Sequence, residues 1–349
     1  MTLLETIVPT SAGATTNLAD VAASARPLVA VVVPYFQRRP GILRKALASA
    51  LAQEGCHRLV IIIVDDGSPV PAREEVAQLT PDVHARIVVI ERSNAGPAAA
   101  RNSALRALPA DTDFVAFLDS DDEWIPQHLA RAVAALTQGH DFYFADHYQL
   151  DQTVSAFRRA GRIDPQRHPA LAGPTHLHAY QGDMFDQILS GNVIGTSTVV
   201  YRHAPLATLR FREEFVYAGE DYLFWLEASQ RTGRIAFSAL CECVYGEGVN
   251  IFAGSGWGSK MSLLRLHHEM KFQRALSRLF ALSAPQRQAN LVSVRRLRRS
   301  FVADMLHRVL HRQEISLALL ARHFKVDPQT FIYALPLAVG IALGRGRGT

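Results

Sequence analysis

The chain has 349 residues, 48% of them hydrophobic and 20% charged, with a formal net charge of +5. That is the balance of a globular chain of one large domain or two modest ones. Three sparse cysteines, Cys56, Cys241 and Cys243, exclude a disulfide scaffold, and they lack the second ligand pair a zinc site needs. No basic-then-apolar leader opens the sequence and no apolar run reaches the length of a membrane span, so a cytoplasmic protein is expected. The positive charge permits an anionic ligand, a nucleic acid or a membrane surface and selects none of them.

In chain order, residues 1–26 are rich in Ala, Ser and Thr without a period and read as a mobile tail. Residues 28–33 form a β-branched apolar run, a buried strand, closed by Pro34-Tyr35-Phe36-Gln37. Pro40-Gly41 opens a helix with Leu43, Leu47, Ala50 and Leu51 on one face. A second buried strand, 59–64, ends in Asp65-Asp66-Gly67-Ser68, a turn signal carrying two acids. A helix over 72–79 and a strand over 86–90 follow. Asn94-Ala95-Gly96-Pro97 then starts a helix through Arg101 and Asn102. The apolar strand 114–118 runs into Asp119-Ser120-Asp121-Asp122. Strands alternating with helices predict an α/β fold with a parallel, doubly wound sheet. Three strand ends then bring Tyr35-Phe36, Asp65-Asp66 and Asp119-Ser120-Asp121 to one edge, where open sheets of this kind bind ligands.

Further on, the pattern predicts a strand over 141–147, a polar irregular loop over 153–180, a helix over 184–189 and a strand over 195–201. Gly219-Glu220-Asp221-Tyr222 opens a helix carrying Trp225, and 235–244 is the last strand. Residues 246–258 hold five glycines and Trp257, a composition suited to a loop that closes on a ligand. From 261 the chain becomes helical. Arg295-Arg296-Leu297-Arg298-Arg299 lies among Leu291, Val294, Phe301 and Leu306, and 331–343 is apolar around Pro336. That combination suits an anionic lipid surface, or a dimer or domain-packing face. The division expected is a tail over 1–26, an α/β domain over 27–258 and a helical region over 259–349.

Three carboxylates at the end of a buried strand raise one another's pKa and repel, unless a divalent cation sits among them. The alternative is an acidic turn with Asp122 capping the next helix. Dinucleotide GxGxxG, P-loop GxxxxGK[ST] and GxSxG signatures are absent in their required contexts.

The ordered set Asp65-Asp66-Gly67-Ser68, Asn94-x-Gly96-x4-Arg101-Asn102, Asp119-x-Asp121-Asp122 and Glu220-Asp221-Tyr222-x-x-Trp225-Leu226 resembles the family 2 glycosyltransferases of GT-A fold, over about residues 28–258. The resemblance implies a GT-A sheet with a nucleotide-binding half and, here, a C-terminal helical extension. It implies that Phe36, beside Pro34 and Tyr35, lies against the donor's base. Asp65 or Asp66 would bind uracil or ribose, with a plain turn as the other reading. Asn94 and Arg101 would line the nucleotide cleft, although Arg101 reads equally as a surface helix residue. Asp119, next to Ser120, would face ribose and sugar, and Asp121 would bind Mg²⁺ or Mn²⁺. Asp221 would be the catalytic base with Glu220 beside it; two acids in a first helical turn also complement the helix dipole. Trp257 and Trp225 are the acceptor-stacking candidates, Trp225 at a spacing that also suits a core.

The chemistry is consistent with that set. A sugar–diphosphate bond breaks with negative charge building on the leaving group, and an acceptor hydroxyl needs a base as it attacks. The expectation is an inverting, metal-dependent transfer of a hexose, by resemblance from UDP-glucose, to a lipid-linked exopolysaccharide oligosaccharide. Peripheral contact with the inner face of the membrane and a homodimer are both open, and no nucleic-acid motif accompanies the basic run. A sugar nucleotidyltransferase and a non-catalytic glycan- or nucleotide-binding module of the same fold are the alternatives. Many relatives carry a His in the loop after the last strand; Tyr245-Gly246-Glu247-Gly248-Val249-Asn250 has none, leaving Glu247 or Asn250 as substitutes.

Overall fold

The structure is a computed structural model that describes residues 26–342 apart from 56, 78, 150–151 and 248–255. Residues 1–25 of the expected tail and most of the 246–258 loop, Asn250 included, lie outside the described residues.

Among the described residues nine strands form one sheet: β1 Leu28–Tyr35, β2 Arg58–Asp65, β3 Ile87–Glu91, β4 Phe114–Phe117, β5 Glu123–Trp124, β6 Phe142–Tyr148, β7 Leu177–Ala179, β8 Val200–Arg202 and β9 Ile235–Val244. Their order is β3-β2-β1-β4-β8-β6-β9-β5, with β7 also on β9. From β3 to β4 every pairing is parallel, and Tyr35, Asp65 and Glu91 end β1, β2 and β3 in register. The strand β8 runs antiparallel to β4 and β6, while β6 and β9 pair in parallel. Side chains alternate between the faces, and two apolar cores result. Val32, Ile62, Val115 and Phe117 point into one; Val31, Val33, Ile61, Ile63 and Ala116 point into the other. A strand buried on both faces must be apolar throughout, which is the run the sequence shows.

The helices that matter to the site are α1 Ile42–Leu51, α2 Pro97–Arg106, α3 His128–Thr137 and α4 Glu220–Arg231. Leu43, Ala46, Leu47 and Ala50 of α1 are buried at helical spacing against the second core. After β9 come α5 Ser262–Leu279, α6 Ala284–Leu310 and α7 Leu317–Val326, then the shorter helices Gln329–Ile332 and Ala334–Ala342. Leu263, Leu266, Met270, Val294, Leu297, Phe301 and Leu319 give this part a third core. The long α6 begins with a full capping box, Ser283 and Gln286 each bonding the other's backbone N–H.

Several expected elements differ. Residues 195–201 are not one strand: Thr196–Thr198 is a 3₁₀ turn and only Val200–Arg202 pairs. β-branched residues gave the strand signal, but the turn keeps Ser197 aimed at the acid loop. The 153–180 segment contains the helix Ala156–Ala160 and β7, so it is less irregular than its polarity suggests. Asp122 caps no helix, because β5 intervenes before α3 begins.

Candidate active site

Two cavities open at the carboxyl edge of the sheet. The larger, about 800 Å³, is lined by Pro34, Tyr35, Phe36, Asp66, Asn94, Ser120 and Asp121, with Val216 and Tyr217 across from them. The second, about 550 Å³, is lined by His147, Asn192, Gly195, Asp221, Tyr222 and Tyr245, among others. Arg101, Asp119 and Glu220 line both, so they stand where the cavities meet. Asp121 faces only the larger cavity of these two and Asp221 only the second.

Arg101 is not a surface residue. Its side chain is 5% exposed, Nη2 donates to Asp119 Oδ1 at 2.6 Å, and Nη1 lies 3.7 Å from Glu220 Oε1. A guanidinium this buried needs carboxylates around it, and two of the cleft's acids supply them. Asn102, one residue on, donates to the Phe211 carbonyl and accepts from the Phe211 N–H, both at 2.8 Å. That reciprocal pair fixes the segment leading to Val216 and Tyr217. Gly96, with φ 92°, has Val216 Cγ1 at 2.9 Å from where a Cβ would stand, so no side chain fits between α2 and this wall.

The two acids after β2 separate in role. Asp65 accepts from Ser68 and Ala72 N–H, each at 2.8 Å, and is absent from the cavity lining. It builds the turn, the other reading the sequence left for this pair. Asp66 lines the cavity while accepting from Gly96 N–H at 2.7 Å and pairing with Arg92 Nε at 3.1 Å.

The acid loop after β4 is held from behind. Ser197 Oγ accepts from Asp119 N–H at 2.9 Å and donates to Asp122 Oδ2 at 2.5 Å. Asp122 also accepts from Gly246 N–H at 3.0 Å. Burial, then Asp119 and Asp121, push the Asp122 carboxyl well above its usual range. A Cβ on Gly246 would stand 1.6 Å from the Asp121 carbonyl oxygen. Only glycine therefore lets the chain after β9 lie on the Asp121 backbone. Ser120 Oγ accepts from Gln37 Nε2 at 3.1 Å, joining the ends of β1 and β4. Gln37, Ser197 and Gly246 carry no sequence pattern of their own; only the fold brings them to the acids. Ser197→Ala is expected to lower stability by ~1–3 kcal/mol, the cost of a buried carboxylate losing a donor. Denaturant unfolding measures it, and an unchanged midpoint would remove Ser197 from the acid loop's support.

Glu220 and Asp221 form the first turn of α4. Gly219, at φ 92°, precedes them, and Phe272 Cδ2 of α5 lies 2.6 Å from its would-be Cβ, so the C-terminal helices press directly on this turn. Asp221 Oδ1 accepts from Tyr222 N–H at 2.8 Å, which orients the carboxylate. Burial, then Asp221, push Glu220 up to about 8 against the opposing pull of Arg101. Burial also raises Asp221. Near neutral pH the pair thus carries fewer than two charges.

Neither tryptophan reaches the cavities. Trp225 is fully buried among Phe117, Phe142 and Phe224, ring centroids 5.3–6.0 Å away, which corrects its place as an acceptor contact. Its helical spacing was the core signal. Trp257 is exposed and packs over His307 of α6 at 4.5 Å, outside both linings. In the second cavity the aromatic side chains are instead Tyr222 and Tyr245, the latter stacked on His147 at 4.8 Å and 17°. Glu247 meets Arg39 through its carbonyl.

Among the described residues no three His, Cys, Asp or Glu side chains form a ready metal cage. Asp119 and Asp121 on the cavity wall are oxygen donors of the kind Mg²⁺ and Mn²⁺ take. Such ions are commonly held by one or two carboxylates with substrate phosphates completing the shell, and the site fits that arrangement.

The architecture, with a nucleotide-sized cleft at the carboxyl edge of a partly parallel sheet, is GT-A. The chain belongs to glycosyl transferase family 2: residues 30–200 match that family. It is 32% identical to the succinoglycan biosynthesis protein ExoW of Rhizobium meliloti, over 89% of this chain and 97% of that protein. It is 26% identical to the Escherichia coli UDP-Glc:alpha-D-GlcNAc-diphosphoundecaprenol beta-1,3-glucosyltransferase WfgD, over 57% of this chain and 68% of that one. Among solved structures, the mannosyltransferase PcManGT of Pyrobaculum calidifontis, in complex with GDP-Man and Mn²⁺, superposes with a TM-score of 0.52 at 18% identity, covering 93% of this chain and 88% of that one.

Proposed function

We propose that this glycosyltransferase moves a hexose, glucose from UDP-glucose, to a hydroxyl of a lipid-linked exopolysaccharide oligosaccharide with inversion. One observation carries the reading. Two cavities meet at Arg101, Asp119 and Glu220, with Asp121 on one side and Asp221 on the other. A donor in the larger cavity and an acceptor in the second would react at their junction. The ExoW and WfgD names support the polymer, the donor and the lipid carrier.

In this reading Phe36, with Pro34 and Tyr35, holds the base, and Asp66 and Asn94 hold the ribose side. Asp119 and Arg101 orient the sugar. Asp121, with Asp119 beside it, would hold Mn²⁺ or Mg²⁺, and a bound ion would neutralise charge on the diphosphate. The acceptor oxygen bonds to the anomeric carbon as the carbon–phosphate oxygen bond breaks; that electron pair leaves on UDP and the hydroxyl proton goes to Asp221. The protein would work in the cytoplasm against the inner face of the membrane; a homodimer is compatible with this.

A thermal-shift panel of nucleotide sugars with and without Mn²⁺ tests the donor reading. The largest stabilisation is expected from UDP-glucose with Mn²⁺. A metal-independent response, or one strongest for a guanosine or cytidine sugar, would overturn the donor and cofactor assignments.

A further inference from the structure

The C-terminal helices present a surface that the transfer chemistry does not use. In α7, Leu319 and His323 face inward, with His323 stacked on Phe301 of α6 at 3.7 Å and 7°. Leu317, Ala321 and Phe324 fall on the opposite stripe, at helical spacings of four and three. Leu317 is 80% exposed and Leu335, on the last helix, 75%. Phe324, Ile332, Tyr333 and Val339 are exposed as well. Arg322 and Lys325 flank the stripe and are exposed.

The charge balance selects the occupant. Between residues 317 and 342 there is one carboxylate, Asp327. It is fully buried and doubly bonded to Arg298, at 2.7 and 2.8 Å. The outward surface of this segment is therefore apolar and basic with no exposed acid. The sequence beyond it adds Arg345 and Arg347, again with no acid. A second copy would meet this surface with the same positive charge, and like charges oppose that contact. Among the described residues no helix is long and apolar enough to cross a membrane. Large apolar side chains rimmed by Lys and Arg suit a position lying in the headgroup boundary of anionic lipid.

We infer that the outward face of residues 317–342 docks this glycosyltransferase on an anionic lipid surface. Leu317, Phe324, Ile332 and Leu335 enter the boundary, and Arg322 and Lys325 meet the headgroup phosphates. The choice of lipid rests on the lipid-linked acceptor proposed above, but docking itself needs no catalysis. The mount is firm, since the Phe301–His323 stack and the Arg298–Asp327 pair fasten this face to α6.

Flotation of the full chain with phosphatidylglycerol–phosphatidylethanolamine vesicles, against phosphatidylcholine alone, tests it. The wild type is expected to float with the anionic vesicles at low salt and to be released by salt. Leu317→Asp with Leu335→Asp should lower the bound fraction ~10-fold or more, and Arg322→Glu with Lys325→Glu should remove the preference for anionic lipid. All four positions are exposed, so the fold should persist, checked by unchanged UDP-sugar binding. A wild type that ignores anionic vesicles at low salt overturns the inference. So do variants that float as the wild type does, or apolar variants that convert a dimer to monomer without changing flotation. Flotation as expected with no glycosyl transfer would leave the docking surface standing and fell the catalytic reading alone.

Discussion

Asp221→Asn should leave UDP-sugar affinity within a few-fold of wild type and lower transfer by ~10²–10⁴, the size of a general-base contribution. The separation follows from where the side chains lie. Asp221 lines the second cavity and not the larger one, so donor contacts survive its change. Its Oδ1 is oriented by the Tyr222 N–H, which an amide oxygen also accepts, so geometry is kept while basicity is lost. Glu220 differs. It lines both cavities and lies 3.7 Å from Arg101. Burial and its acidic neighbour push it up to about 8 against the pull of Arg101, which its carboxyl faces instead of standing free for the acceptor. Glu220→Gln should therefore cost less transfer than Asp221→Asn. A donor titration paired with a transfer assay on both variants separates them. Near wild-type transfer by Asp221→Asn would remove the base, and a larger loss in Glu220→Gln would move the role to its neighbour.

Most of the sheet was legible because its physics is local. The runs ending at Tyr35, Asp65 and Phe117 are apolar enough to be buried on both faces, and each stops in polar residues at the carboxyl edge. The acids that face the cavity could be named for the same reason. What the sequence could not separate was carboxylates within one cluster. Asp65 and Asp66 are adjacent, yet Asp65 closes a turn and Asp66 lines the cavity. Asp121 and Asp122 are adjacent, yet Asp122 is bonded to Ser197 and Gly246. The choice depends on partners 75 and 124 residues away, and no local pattern encodes such distances. The tryptophans show the opposite limit. Trp225 had the right chemistry for a sugar platform, but helix geometry turned it into the aromatic core. The stacked His147–Tyr245 pair unites two strand ends that only the β6–β9 pairing brings together.

The distinction between Asp121 and Asp122 sets up the other large effect. Asp121→Ala should reduce donor affinity in Mn²⁺ to the value wild type shows with the ion chelated, and chelation should then change the variant no further. Both manipulations remove one interaction, and effects on one interaction do not add. Asp121 lies on the cavity wall, whereas Asp122 bonds Ser197 and Gly246 behind the loop. Asp122→Ala should behave the other way. It strips the buried Ser197 hydroxyl and Gly246 N–H of their acceptor, so unfolding shifts first, and donor affinity falls whether or not metal is present. Calorimetric titration of UDP-sugar into each variant, with Mn²⁺ and with chelator, gives the four affinities that decide it. If Asp121→Ala retains a wild-type response to Mn²⁺, the ion is held elsewhere and Asp119 becomes the carboxylate to test. If instead Asp122→Ala alone abolishes the metal response and keeps its stability, the two acids exchange roles, and the Ser197 contact belongs to positioning a ligand and not to holding the loop.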